Sequence, residues 1–217
     1  MPIKSPETLV VDPRSPDQEM VRRAATWINR GGLVVFPTST FYGIGAQALN
    51  VHAVDRVFQV KERHKGNPLL VLIASLDDLS PLVQSIPETA EALIKAFWPG
   101  GITLVFDAAD TVPENLTGYT GKIGVRLASH PVAGALVKVV SGPITGTSAN
   151  LSGEGGCTAV ADLSRRINDQ VDLVLDAGQL AGVRGSTVVD VTTKSPRILR
   201  EGVIRADTIR ALFDDAQ

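Results

Sequence analysis

Four short segments concentrate the side chains that could act on a ligand. Lys61-Glu62-Arg63-His64-Lys65 sets three cations on alternate positions, and Gly66-Asn67-Pro68 closes the run. With Arg56 upstream, such cations can surround a phosphate. They can equally form a solvated helix end, where positive charge favours the C-terminal dipole. Thr145-Gly146-Thr147-Ser148-Ala149-Asn150-Leu151-Ser152-Gly153 carries five polar side chains in nine residues. These can donate to phosphate or carboxylate oxygens, or close a hydrogen-bonded turn. Pro37-Thr38-Ser39-Thr40-Phe41-Tyr42-Gly43-Ile44-Gly45 offers three hydroxyls and two glycines that let backbone approach a ligand, or make a tight strand-to-helix turn. The fourth place is Gly185-Ser186-Thr187, with Arg200 further on and Arg126 beside it. Arg126 stands in an otherwise apolar strand pattern, which is costly unless the guanidinium is paired or faces a ligand.

Other catalytic arrangements are missing from the sequence. There is no evident acid/base pair, no Cys–His pair and no Ser–His–Asp spacing. Cys157 has no neighbouring cation to mark it as reactive. His52, His64 and His130 lie far apart, without the spacing of a zinc site. Fixed cations and hydroxyls suit transfer at phosphorus, where positioning and charge stabilisation do most of the catalysis.

The elements that must position these groups follow from periodicity. Continuous apolar runs at 33–36, 69–74 and 102–106 read as strands buried on both faces. Further strands are predicted over 122–127, 143–147, 171–175, 186–191 and 197–200. Helices are predicted from Ser15 as cap with Pro16 at the first position, then over 51–60, 87–97, 131–140, 159–167 and from 206 onward. The segment 37–45 reads as a polar loop. The first dozen residues and the last few read as loose. Alternating strands and helices predict an α/β fold on a twisted, open, mostly buried sheet flanked by helices, with ligands at the strand ends. One domain over 1–217, with a core over about 17–207, is the simpler count.

Composition narrows the classes. Of 217 residues, 44% are hydrophobic, enough for a core and against disorder. A net charge of −2 excludes bulk coating of nucleic acid, so any anion must meet a local basic patch. No apolar run approaches the ~18 residues of a membrane span, and the N-terminus has no signal-peptide core. A single cysteine fits a reducing cytoplasm. Glycine and proline, 20 and 13 residues, gather in loops after predicted strands.

Six segments in register resemble the YrdC/TsaC family, the threonylcarbamoyl-AMP synthases. PTSTFYGIG resembles PTETxYGLG, and KERHKGNPL resembles KxRPxxNPL. WPGGITLVF resembles WPGPLTLxL, and GVRLASHP resembles GxRxPxHP. TSANLSG matches TSANxSG, and STVVDVTTKSPRILREG resembles STVVDxxxxxxxILRxG. The resemblance implies a short single-domain form with a large concave cationic cavity. It implies synthesis of L-threonylcarbamoyl-AMP and pyrophosphate from L-threonine, bicarbonate or CO2, and ATP. That is the first step of N6-threonylcarbamoyladenosine formation in tRNA. Thr40, Arg126 and Ser186 would hold threonine. Lys61, Arg63, Asn67, Lys122, Thr147, Ser148, Asn150 and Arg200 would hold ATP, with Lys61, Arg63 and Ser148 acting in catalysis. Mg2+ would arrive on the ATP phosphates with no protein side chain as ligand. A downstream threonylcarbamoyl-transferase complex and contact with tRNA are implied partners. The chain departs from the pattern at Ser39 (Glu in the family), His64 and Gly101 (prolines), and Leu72 (a histidine in some members). It would also lack the C-terminal domain of longer members. The alternatives are a family paralogue without the synthase step and an RNA-binding module. The 5% aromatic content leaves the latter few stacking platforms.

Overall fold

The structure is a computed structural model that describes residues 5–182 and 184–214. Along the chain run β1 (Glu7–Val10), α1 (Gln18–Asn29), β2 (Val34–Pro37), β3 (Tyr42–Gly45), α2 (Val51–Lys61) and β4 (Leu70–Ile73). They are followed by α3 (Glu88–Phe97), β5 (Ile102–Asp107), β6 (Lys122–Leu127), α4 (Pro131–Val139), β7 (Ile144–Thr145) and β8 (Thr147–Ser148). The chain continues with α5 (Arg165–Asn168), β9 (Leu173–Asp176), β10 (Thr187–Asp190), β11 (Arg197–Arg200) and α6 (Ala206–Asp214).

The α/β architecture is as expected, with the sheet divided in two. One sheet has the order β1-β9-β2-β3-β8, the other β11-β10-β5-β6-β4-β7. Both are mixed: β4 and β6 are parallel, whereas β5 and β6 are antiparallel. The run 143–147, expected as one strand, supplies one strand to each sheet. Gly146 is the crossing point, and a Cβ there would stand 2.7 Å from Leu72 Cγ, so only glycine fits without displacing Leu72. Thr145 ties the sheets together at the same place: its hydroxyl donates to the Ile44 carbonyl and accepts from the Ala46 amide.

The centre of the first sheet is buried on both faces. Leu33, Val35 and Val174 join the larger apolar cluster, while Val34, Phe36, Leu173 and Leu175 join a second cluster with α1 and α4. That explains the unbroken apolar run at 33–36. In the second sheet, Ile123 and Val125 of β6 enter the larger cluster. Their alternate neighbours face the other way and belong to the site described below.

Four local expectations change. Residues 7–10 are not loose: β1 pairs parallel with β9. Residues 1–4 and 215–217 lie outside the described residues. Residues 42–45 form a strand, hairpin-paired with β2. Gly43 and Gly45 lie against the Phe36 ring, where an added Cβ would come within 3.2 and 3.0 Å of it. The cap of α1 is Asp17, whose Oδ1 accepts from the Glu19 and Met20 amides. Ser15 instead joins a turn around Asp12. Finally, 159–167 is a short 3-10 turn at Val160–Asp162 followed by α5, because Leu163 is extended between them.

Candidate active site

A cavity of ≈ 870 Å³ opens over the second sheet. Its floor is read at every second residue: Leu70 and Leu72 of β4, Thr103 and Val105 of β5, Lys122, Gly124 and Arg126 of β6, Val188 and Asp190 of β10. Side chains alternate across a strand, so one face of this sheet packs the core and the other lines the site. The turn 38–41, β8, the start of α4 and the segment 184–186 form the walls.

Among the described residues, six Lys or Arg and two acidic side chains line the cavity. Three of the cations are paired. Lys122 Nζ lies 3.0 Å from Asp190 and 2.7 Å from the Thr192 hydroxyl. Arg197 is 3.8 Å from the same carboxylate, and Arg184 is 3.5 Å from Glu201. Asp190 is 2% exposed. Burial works against its charge, but hydrogen bonds from Thr192 and Lys122 hold its pKa below the usual value.

Arg63, Arg126 and Arg200 have no carboxylate partner among the described residues. Arg126 is 7% exposed, and its Nε donates to the Gly100 carbonyl at 2.7 Å. Burial pushes its pKa down. The alternative of a buried ion pair therefore falls, and a nearly buried, uncompensated guanidinium faces the cavity. Arg63 and Arg200 are close enough that the charge of one bears on the other. Arg63 donates to the Asn67 and Pro68 carbonyls, and Arg200 to the Ser186 carbonyl at 2.9 Å. Burial first, and then the Arg200 charge, lower the Arg63 pKa.

Hydroxyls fill the space between the cations. The Ser186 and Thr103 hydroxyls are 2.8 Å apart, and Ser39 and Ser129 are 2.9 Å apart. Thr40, Thr147 and Ser148 also line the cavity. His130 caps α4: its Nδ1 accepts from the Val132 amide, and burial lowers its pKa. That bond favours the neutral ring with its proton on Nε2.

Eight of the eleven anticipated residues thus meet in one cavity: Thr40, Arg63, Lys122, Arg126, Thr147, Ser148, Ser186 and Arg200. Three do not line it. Lys61 is 2% exposed, and its ammonium donates to the Ser148 and Asn150 carbonyls. Burial, with the Arg63 charge adding, pushes its pKa down to about 8. Lys61 thereby holds the 148–152 loop, which its own carbonyl also anchors through the Ser152 amide. Asn67 is exposed and takes part through its carbonyl. The Asn150 amide donates to the Leu151 and Glu154 carbonyls, shaping its own loop. Of the remaining cations, Lys65 pairs with Asp55 and Arg56 with Asp172, so their place is structural. Cys157 is buried, which raises its pKa. Sequence reasoning missed Arg184, Arg197, Asp190, Glu201, Ser129 and His130 as lining residues. Strand alternation from Arg126 and Val188 was the signal that could have found Asp190.

Comparisons with known proteins bear on the family and the fold. The Sua5/YciO/YrdC family model, described as telomere recombination, matches residues 26–202. The chain belongs to this family. It is 37% identical over 209 residues to the threonylcarbamoyl-AMP synthase of Pyrococcus abyssi, covering 96% of this chain and 62% of that protein. A crystal structure of P. abyssi Sua5 complexed with L-threonine superposes with TM-score 0.90 at 36% identity, over 94% of this chain and 60% of that one. Escherichia coli YciO superposes with TM-score 0.85 at 27% identity, over 94% of this chain and 99% of YciO. The chain spans about three fifths of the length of the curated synthases from P. abyssi and Bacillus subtilis that it matches. Among the described residues, no helix is long and apolar enough to cross a membrane.

Proposed function

We propose that this chain is a threonylcarbamoyl-AMP synthase, folded as a single domain. One observation carries the proposal: the cavity's three cations without a carboxylate partner fall into a lone Arg126 and an Arg63–Arg200 pair. The reaction needs both, a single cation for one carboxylate and a pair for a triphosphate. Arg126 would take the threonine carboxylate, with Thr40 and Ser186 beside it. Arg63 and Arg200 would take ATP phosphates, with Lys122, Thr147 and Ser148 as further donors and Lys61, Asn67 and Asn150 shaping the loops.

The chemistry balances without a protein nucleophile. The threonine amine adds to CO2 and releases a proton, giving a carbamate. A carbamate oxygen then attacks the α-phosphorus, forming the new P–O bond while pyrophosphate leaves with the cleaved P–O electron pair. Positioned guanidiniums stabilise the charge that develops on the phosphoryl oxygens. Asp190 and Glu201, the two lining carboxylates, are already ion-paired, which suits Mg2+ held by ATP phosphates. When bound, that ion would neutralise phosphate charge. The product is a reactive mixed anhydride, so a transferase acting on tRNA must consume it, and contact with tRNA and a cytoplasmic place belong to the same proposal.

Purified protein incubated with ATP, Mg2+, labelled bicarbonate and L-threonine should release pyrophosphate only when threonine is present. Release that is absent, or independent of threonine, sinks the proposal.

A further inference from the structure

The cations account for the anionic parts of two substrates, but part of the cavity wall beside Arg126 is apolar. Leu72 is its centre. It pairs in register with Arg126 across β4 and β6, and both side chains line the cavity. Same-face neighbours on adjacent strands stand about 5 Å apart, so the isobutyl group flanks the arginine stem. On its other side Leu72 presses against Gly146, and the second apolar cluster, which includes Ala133 of α4, supports it from behind. Ala128 and Ala133 extend the apolar surface into the cavity. The opposite character is also near. The Ser39 and Ser129 hydroxyls bond to each other, and Ser129 lies 3.5 Å from Arg126 Nη2.

A 2-amino acid anchored on Arg126 would therefore meet a fixed aliphatic surface and a pair of hydroxyls at once. We propose that Leu72 is a specificity-determining residue that reads a methyl group on the β-carbon of that amino acid, while Ser39 and Ser129 read its hydroxyl. The proposal rests on the synthase reading and adds to it a reason to prefer threonine over serine. A missing methyl in a well-packed apolar site lowers specificity constants about 10- to 200-fold. Larger β-substituents are excluded by the same wall, because Leu72 is backed by packed atoms and cannot retreat.

Three amino acids probe this wall: L-serine, L-threonine and the homologue with an ethyl group on the β-carbon, L-2-amino-3-hydroxypentanoate. Equilibrium binding with ATP and Mg2+ present, and threonine-dependent pyrophosphate release, are measured for the wild type, Leu72→Val and Leu72→Ala. We expect the wild type to favour threonine over serine by about tenfold or more. Leu72→Ala should bring that ratio within about threefold and raise use of the ethyl homologue relative to threonine, with Leu72→Val between. A purely structural role would lower binding of all three alike, so unchanged ratios in a folded variant overturn the proposal. Leu72→Val, one methylene smaller, keeps the test open if Leu72→Ala does not fold. Equal wild-type binding of serine and threonine, or binding of neither, also overturns it. Selective threonine binding without pyrophosphate release overturns the synthase reading alone.

Discussion

Two sets of cations in the cavity hold positive charge in different ways. A single guanidinium, Arg126, is nearly buried and fixed by one carbonyl on a central strand. Arg63 and Arg200 come instead from a loop and an edge strand, and Arg200 bears on the Arg63 pKa. A deep, lone, rigid cation suits a single carboxylate held in one orientation. Two adjacent cations on the rim repel one another until a multiply charged ligand arrives, which suits a triphosphate. Number and depth of cations, rather than total charge, would divide the two proposed substrates.

Arg126→Ala breaks this comparison hardest. Loss of a charge-assisted contact of ~3 kcal/mol should raise KM for threonine about 100-fold, with KM for ATP unchanged within about twofold. Steady-state kinetics with each substrate varied in turn checks it. An equal loss of ATP affinity would mean that Arg126 does not serve the carboxylate alone.

Arg63→Ala should raise KM for ATP by tens of fold and leave threonine binding intact, since one cation of the pair remains and exposed charges are partly screened. Arg200→Ala should do the same more weakly, because Arg200 is exposed whereas Arg63 is half-buried. Added salt should weaken ATP binding more than threonine binding, because the rim is the more solvated end.

Lys61→Ala sharpens the comparison through stability. It leaves the Ser148 and Asn150 carbonyls without their donor, at a cost of about 2 kcal/mol, or several degrees in Tm. Thermal unfolding with and without ATP separates this from a ligand contact. A direct phosphate contact would abolish ATP protection, whereas a loop anchor lowers Tm in both conditions.

The smallest effect is in pH. Lys61 is lowered from 10.5 to about 8 in the folded chain. Between those values the unfolded chain keeps a proton that the folded chain has released. Its contribution to stability is therefore complete above 10.5 and lost as pH falls through about 8. The Tm of the wild type should rise relative to that of Lys61→Met as pH goes from 8 to 10. A constant difference would contradict the burial of this ammonium.

The central elements were legible because their periods are strong. The β6 range 122–127 and the β11 range 197–200 coincide with the expectation, and α2 differs by one residue at its end. β1 was illegible because a four-residue strand between prolines gains its place from β9, more than 160 residues away. β3 was hidden by its glycines, which signal a loop in sequence but pack on Phe36 in the hairpin. The division of 143–147 between two sheets could not be read either, since an apolar-to-polar run looks the same whether or not the chain turns at Gly146. In the site, Arg126 was legible as a charge in an apolar strand. The bonds of Lys61 to the carbonyls of Ser148 and Asn150 could not be read from its sequence neighbourhood, because those residues lie more than 80 positions away.

Residue types and spacing by themselves determined the central strands and helices, the family, and the inventory of cations and hydroxyls. They did so because periodicity and local motifs are written in consecutive residues. Only the tertiary structure decided which cations are available. Asp190 takes Lys122 from 68 positions away, and Glu201 takes Arg184, leaving Arg63, Arg126 and Arg200 for ligands. Coulomb energy depends on distance and on surrounding water, and both are set by the fold rather than by order along the chain.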